Sequence, residues 1–434
     1  MGFASGKTRL AALGMVMLVA TSAVACSSTS SSSTTTSGSG GGSGIPASAF
    51  SDHTGITSTS VSVANIATLS LGGLFKGALV GTQAYADYVN STGGVNGRKI
   101  RVDSADDNFT GASNKQATQN AITNDFSLVG DFSLEDGFGG ALLKQNPGMP
   151  NVSVTLDAAT NKLPNTYSAV PLNGGWEEGP LQYFKNKFPQ AVGATGTLVG
   201  NLPSAEADWA GEKYVMEKVG YKVIYDPTYG VSQTDFTQEV IAMKSAGVKI
   251  LFMDSMAEAY AVALLKDLVQ QDFHPIVILG AANYTNTVVA KSGGPSAVDG
   301  SYLQQNSSLY LGQDASQIPA VGTFLHWVNV ASPGFQPDLF TLYAWLSAQL
   351  FSQALSKAGS NPSRGSLLQA LSKITTFDGG HIIAPNNPAA KTIGNCYLIG
   401  HVVNGDFQRL DNPPVTGSTN GYRCDYQYVN PPGG

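Results

Sequence analysis

The sequence predicts an α/β fold of two lobes, each built on a doubly wound parallel sheet, and three observations carry that reading. From Val61 onward, short apolar strands alternate with helices that carry a clear apolar stripe. Such alternation means parallel sheets covered by helices on both faces. The chain has 434 residues, long for one core, and the strand–helix series restarts near Trp176.

The elements follow in order. Residues 61–66 alternate as a first strand, and Gly81, Ala84, Tyr85 and Tyr88 recur at helical spacing. The stretch 91–102, STGGVNGRKIRV, has the glycines and basic pair of a phosphate cradle. A P-loop, however, needs four residues between its glycines, then Lys and a hydroxyl residue, with the strand before the helix. Here Gly93 and Gly97 are three residues apart, Ile100 follows Arg98-Lys99, and the element order is reversed. The stretch therefore reads as a helix-to-strand corner, in which glycine ends the helix and Asn96-Gly97 turns the chain. Further strands are expected at 99–103, 126–130, 151–154, 194–199, 222–225, 249–253 and 276–279. A helix is expected at 114–122, and Phe236, Val240 and Met243, then Ala261, Leu264, Leu265 and Leu268, stripe two more. Open parallel sheets bind ligands beyond the carboxyl ends of their strands. That rule nominates the loops 69–75, 131–136, 155–159, 201–209, 254–258 and 281–284.

The net charge of −6 offers no basic footprint for nucleic acid and no attraction to an anionic membrane. Lys7 and Arg9 precede an apolar run at 10–20, then Ala23-Val24-Ala25-Cys26. This is the layout of a secretory signal over residues 1–25, too short to span a bilayer. The site resembles a bacterial lipobox, which implies that Cys26 is diacylated. Residues 26–55 then form a Ser/Thr/Gly-rich, lipid-anchored tether, and the folded part begins near Ile56, held at the outer face of the cytoplasmic membrane. Two cysteines remain, Cys396 and Cys424, and an even pair outside the cell suggests a disulfide. His381 and His401 are too few and too scattered for a metal site, so neither metal nor cofactor is expected.

Several stretches together resemble the type I periplasmic substrate-binding proteins of ABC transporters, in the branched-chain amino-acid, amide and urea class. They are Gly77-Ala78, Tyr88-Val89-Asn90 and the corner from Gly93 to Ile100; Asp106-Asp107-Asn108; Asp235-Phe236-Thr237; Ala246-Gly247-Val248; and the run from Pro337 to Ala344 opening a long helix. The resemblance implies lobe 1 from residues 56–172 plus 301–392 and lobe 2 from 173–300 plus 393–430. Three crossovers, near 170–173, 300–304 and 391–395, form the hinge. It also implies a monomer that captures a small molecule by hinge closure and delivers it to an ABC permease, with no catalysis. Gly-x-Ser-x-Gly is absent and the five histidines mark no nucleophile. A ligand-sensing lipoprotein without a transporter, or an anchored hydrolase, remains as an alternative.

Departures from the family pattern bear on the ligand. Amino-acid binders use a Ser/Thr run after the third strand, where this chain has Phe132-Ser133-Leu134-Glu135-Asp136. Residues 155–159 replace the usual Ala/Thr loop, and Ala281-Ala282 follow Gly280 where an acid holds the ammonium. The expected ligand contacts are Phe75, Ser133, Leu134, Asp157, Ala159, Trp176, Trp209, Met256 and Tyr284. The expected ligand is uncharged or cationic and largely apolar.

Overall fold

The computed structural model describes residues 44–171, 176–254, 256–392, 394–410 and 413–429. The expected signal segment and Cys26 lie outside them.

The first lobe is a five-stranded parallel sheet of β1 (Ser60–Ala67), β2 (Lys99–Asp106), β3 (Ser127–Val129), β4 (Asn151–Val152) and β5 (Thr166–Tyr167), in the order β2-β1-β3-β4-β5. The order reverses at β1, so the loops after β1 and β3 diverge and leave a crevice between them. All but the first residue of β1 are buried, as expected of a central strand covered on both faces.

Helix Lys76–Ser91 crosses helix Leu339–Lys357 at close range, and glycine is what allows it. A Cβ at Gly77 would overlap the Asp338 carboxylate, and one at Gly81 would overlap the Thr341 carbonyl. Asp338 accepts from the Thr341 amide at 2.8 Å while the Thr341 hydroxyl accepts from the Asp338 amide at 3.2 Å, a reciprocal cap at the helix start. Gly81→Ala should therefore cost about 1–3 kcal/mol by overpacking. Chemical unfolding would measure it, and an unchanged midpoint would show that the crossing has room.

The corner at 91–102 is structural. Asn96 and Gly97 take φ of 49° and 78°, and Val95 and Arg98 exchange both backbone hydrogen bonds at 2.8 and 2.9 Å. The Asn96 side-chain amide donates to the Gly359 carbonyl at 3.0 Å, tying the turn to the end of helix Leu339–Lys357.

The chain is already packed before the expected boundary at residue 55. Residues Ala47–Ser51 form a 3-10 turn with Ala49 buried, and the Asp52 carboxylate pairs with the buried Arg364 guanidinium at 2.9 Å. Composition locates where packing residues resume, but this segment is held by a partner 312 residues away.

The second lobe carries β6 (Trp176–Glu177), β7 (Thr195–Gly196), β8 (Val199–Gly200), β9 (Val223–Tyr225), β10 (Thr228–Tyr229), β11 (Ile250–Met253), β12 (Ile276–Leu279), β13 (Tyr302–Gln305), β14 (Leu398–Val403), β15 (Asp406–Arg409) and β16 (Tyr428–Val429). Its main sheet runs β15-β14-β13-β12-β11-β7-β9. Three corrections follow. The sheet is mixed, because β14 is antiparallel to both β13 and β15. The second crossover also starts after Gln305, because β13 pairs with β12 and belongs to lobe 2. The strand expected at 194–199 breaks into β7 and β8, which pair with different neighbours.

Two features tie the hinge. Asp314, in the segment that leaves β13, forms a buried pair with Arg409 of β15, with donor distances of 3.0 and 2.8 Å to one oxygen. Cys396 and Cys424 are bridged, with Cα atoms 4.2 Å apart. Beyond the bridge, β16 pairs antiparallel with β6, Tyr428 opposite Glu177 and Val429 opposite Trp176.

Candidate functional site

The crevice is bounded on the first lobe by the ends of β1, β3 and β4 and by the start of helix Leu339–Lys357. Phe75, Phe132 and Phe340 form a mutually edged aromatic trio there, with centroids 4.6–4.8 Å apart. Phe75 and Phe132 are almost fully buried, so the half-buried Phe340 presents the trio outward.

The polar groups expected on this wall are largely consumed by the lobe itself. The Ser133 hydroxyl donates to the Asp107 carboxylate and accepts from Asn114 at 3.1 Å and the Glu135 amide at 2.9 Å. Asp136 accepts from the Leu156 and Asp157 amides, and Asp157 caps a helical turn through the Thr160 amide at 2.7 Å. Burial pushes the Asp136 carboxyl up to about 7, against the pull of those amides. Ala159 is exposed on that turn, and Leu134 is half-buried against the core. The wall therefore offers apolar surface and few free donors.

The second-lobe wall is acidic. Asp254 follows β11, Glu177 lies in β6 beside Trp176, and Glu212 lies inside helix Pro203–Val219. Glu212 is 3% exposed. Burial and repulsion by Asp254 push Glu177 up to about 8 and Glu212 well above the usual carboxylate range. Burial likewise raises Asp254, opposed by a hydrogen bond from the Gln304 amide at 3.2 Å. Burial raises the Tyr343 hydroxyl of the first lobe, and the charges of Glu177 and Asp254 add to it. Met256 is buried beside them, its carbonyl held by the Asn283 amide at 2.7 Å.

Two of the expected contacts lie elsewhere. Trp209 sits on a helix, not in a loop: Pro203 opens that helix, and residue 209 turns inward. Its ring packs in the second-lobe core and its indole donates to Asp226 at 3.0 Å. Tyr284 is fully buried, its hydroxyl bonded to Gln313 at 2.6 Å and its ring edged against Tyr310 and Phe407. It braces the crossover. Trp176 is half-buried, packed on the second-lobe core through its pairing with Val429. Sequence reasoning missed Glu177, Glu212 and Tyr343. Glu177 adjoins an expected contact, whereas nothing in the sequence separates Glu212 from a solvated helix acid.

With this geometry in view, the relatives are informative. The profile of the family described as periplasmic binding protein matches residues 61–406. A Leu/Ile/Val-binding protein homolog of Brucella suis is 24% identical over 298 residues, covering 65% of this chain and 73% of its own. Among solved structures, a fatty acid ABC transporter substrate-binding protein from Thermomonospora curvata superposes with a TM-score of 0.68 at 17% identity, over 88% of this chain and 95% of that one. A branched-chain amino acid ABC transporter protein from Thermus thermophilus with bound valine gives 0.69 at 13%, over 84% and 98%. The fold is that of the type I, two-lobed solute-binding proteins. This chain belongs to the periplasmic binding protein family. No helix among the described residues is long and apolar enough to cross a membrane.

Proposed function

We propose that this protein is an exported solute-binding lipoprotein, anchored through Cys26, that captures an uncharged or cationic, largely apolar small molecule and passes it to an ABC permease. Entry of the ligand between the lobes stabilises the closed form through contacts made with both walls. The observation that carries the ligand class is the pairing of the Phe75–Phe132–Phe340 wall with the acidic second-lobe wall. A ligand carboxylate buried there would lack donors, because Ser133 is engaged internally and Asp136 and Asp157 accept.

Leucine, isoleucine, valine and glutamate should therefore bind weakly or not at all. Calorimetry giving affinity of about 1 μM or tighter for any of them would refute this ligand class. Capture itself is tested by mass spectrometry of copurifying small molecules, followed by X-ray scattering with the molecule found. Contraction on binding is expected, and an unchanged radius of gyration would remove hinge closure.

A further inference from the structure

The first-lobe wall carries a pair of donors that the protein covers with one of its own acids. β3 and β4 run side by side, Leu128 opposite Asn151 and Val129 opposite Val152, so the loops leaving their carboxyl ends adjoin at the crevice. The loop after β4 turns two consecutive backbone amides, those of Leu156 and Asp157, toward the loop after β3. The Asp136 carboxylate accepts from both, one oxygen 2.5 Å from the Leu156 amide and the other 3.2 Å from the Asp157 amide. The two loops fit closely, since a Cβ at Gly137 would come within 3.2 Å of the Asp157 carboxyl carbon. Asp157 turns its own carboxylate the other way, to the Thr160 amide at 2.7 Å and hydroxyl at 2.6 Å. Leu156 and Asp157 are half-buried, and Phe132 of the aromatic trio stands on the same loop as Asp136.

Two adjacent amides hold a carboxylate through one bond to each oxygen, and such charge-assisted bonds are the strong ones. A ligand carboxylate entering the crevice needs donors of this kind to leave water. Here a tethered carboxylate holds them already, and its charge repels a second anion.

We propose that Asp136 sets the charge of the ligand: its carboxylate fills the amide pair of Leu156 and Asp157 in place of a ligand's, and so excludes anions from the crevice. The inference rests on the solute-binding reading and names the residue behind its uncharged or cationic ligand class. The exclusion responds to pH. Burial raises the Asp136 carboxyl to about 7 against the amide bonds, and the charge of Asp157 adds to the rise. Below that value the acid turns neutral, repels less and accepts more weakly, so anions gain as pH falls. The other ionisable groups of this wall are Asp131 after β3, on which Asp136, Asp125 and Asp107 act, and Glu135, on which Asp107 acts.

The test is calorimetry on the full-length protein with benzoate and benzyl alcohol, which share a ring and differ in the carboxylate. At pH 8, Asp136→Ser should bind benzoate about tenfold or more tighter than wild type, while benzyl alcohol changes by less than about threefold. Asp136→Asn keeps an acceptor on the amides without the charge, so it should gain benzoate in part. Should the serine variant fail to fold, the pH profile decides. Benzoate should bind wild type about three- to tenfold tighter at pH 6 than at pH 8, and the asparagine variant equally at both. The assignment is overturned if neither variant gains benzoate, if benzyl alcohol gains as much, or if the asparagine variant keeps the wild-type pH slope. Scattering with the copurifying molecule separates this from the reading beneath it. Contraction together with unchanged benzoate affinity would remove only the role of Asp136, whereas no contraction would remove capture by hinge closure.

Discussion

Arg409→Met is expected to destabilise the protein by about 3–5 kcal/mol, because it leaves a buried carboxylate without its cation. Asp314 and Arg409 expose 5% and 8% of their side chains. The guanidinium donates to both oxygens of Asp314, which also receives the Leu309 amide at 2.7 Å. Methionine keeps much of the arginine's apolar stem over Tyr422, whose ring centroid lies 5.7 Å from the guanidinium carbon. What is lost is charge and direction. Because the pair joins the crossover leaving β13 to the edge strand β15, its loss should loosen the hinge as well as lower the urea midpoint. Adding Asp314→Asn to Arg409→Met should recover part of the loss, since a neutral amide still accepts from Leu309. A single-mutant effect below about 1 kcal/mol would mean water reaches the pair and screens it.

Cys424→Ser should cost roughly 3–4 kcal/mol, the chain-entropy value for a bridge of this span. The closed segment runs 28 residues from Cys396 on the third crossover. The effect should extend beyond stability. Past Cys424 the tail forms β16, which holds Trp176 and Glu177, and the Gln427 carbonyl accepts from the Glu178 amide at 3.3 Å. Freed of its bridge, the ribbon would rest on the Asn395–Tyr426 and Tyr397–Asp425 hydrogen bonds and the Tyr397–Arg423 backbone pair, and short ribbons are marginal in water. Amide exchange at residues 176–178 should therefore quicken in the serine variant and in the reduced wild type. Unchanged exchange there would show that the bridge and the acidic wall are independent.

How far the site was legible in the sequence differs by wall. The crevice loops after β1, β3 and β4 follow from strand endings alone, and Phe75, Ser133 and Leu134 sit on them. Their chemistry does not follow, because Ser133 is spent on Asp107 and Asn114. A hydroxyl in a loop looks the same in sequence whether its partner is a ligand or a neighbour 26 residues back. Trp209 shows the complementary difficulty: an aromatic just inside a helix start reads as a loop residue until the helix phase is known. Tyr284 adjoins the crevice in sequence yet is drawn inward by Gln313 and Leu311, whose positions depend on the crossover.

The sequence by itself determined the alternation of strands and helices, the corner at 91–102 and the cysteine pair. It also determined the class of fold, because these depend on periodicity, turn chemistry and parity that act over a few residues. Only the tertiary structure decided which acids are buried, what holds the segment before Ile56 and which tail strand holds Glu177. Each of those depends on contacts between segments far apart in the chain. Asp52 meets Arg364, β16 meets β6, and Asp314 meets Arg409. The free energy of a buried charge is set by what surrounds it in space, and a linear pattern carries no record of that.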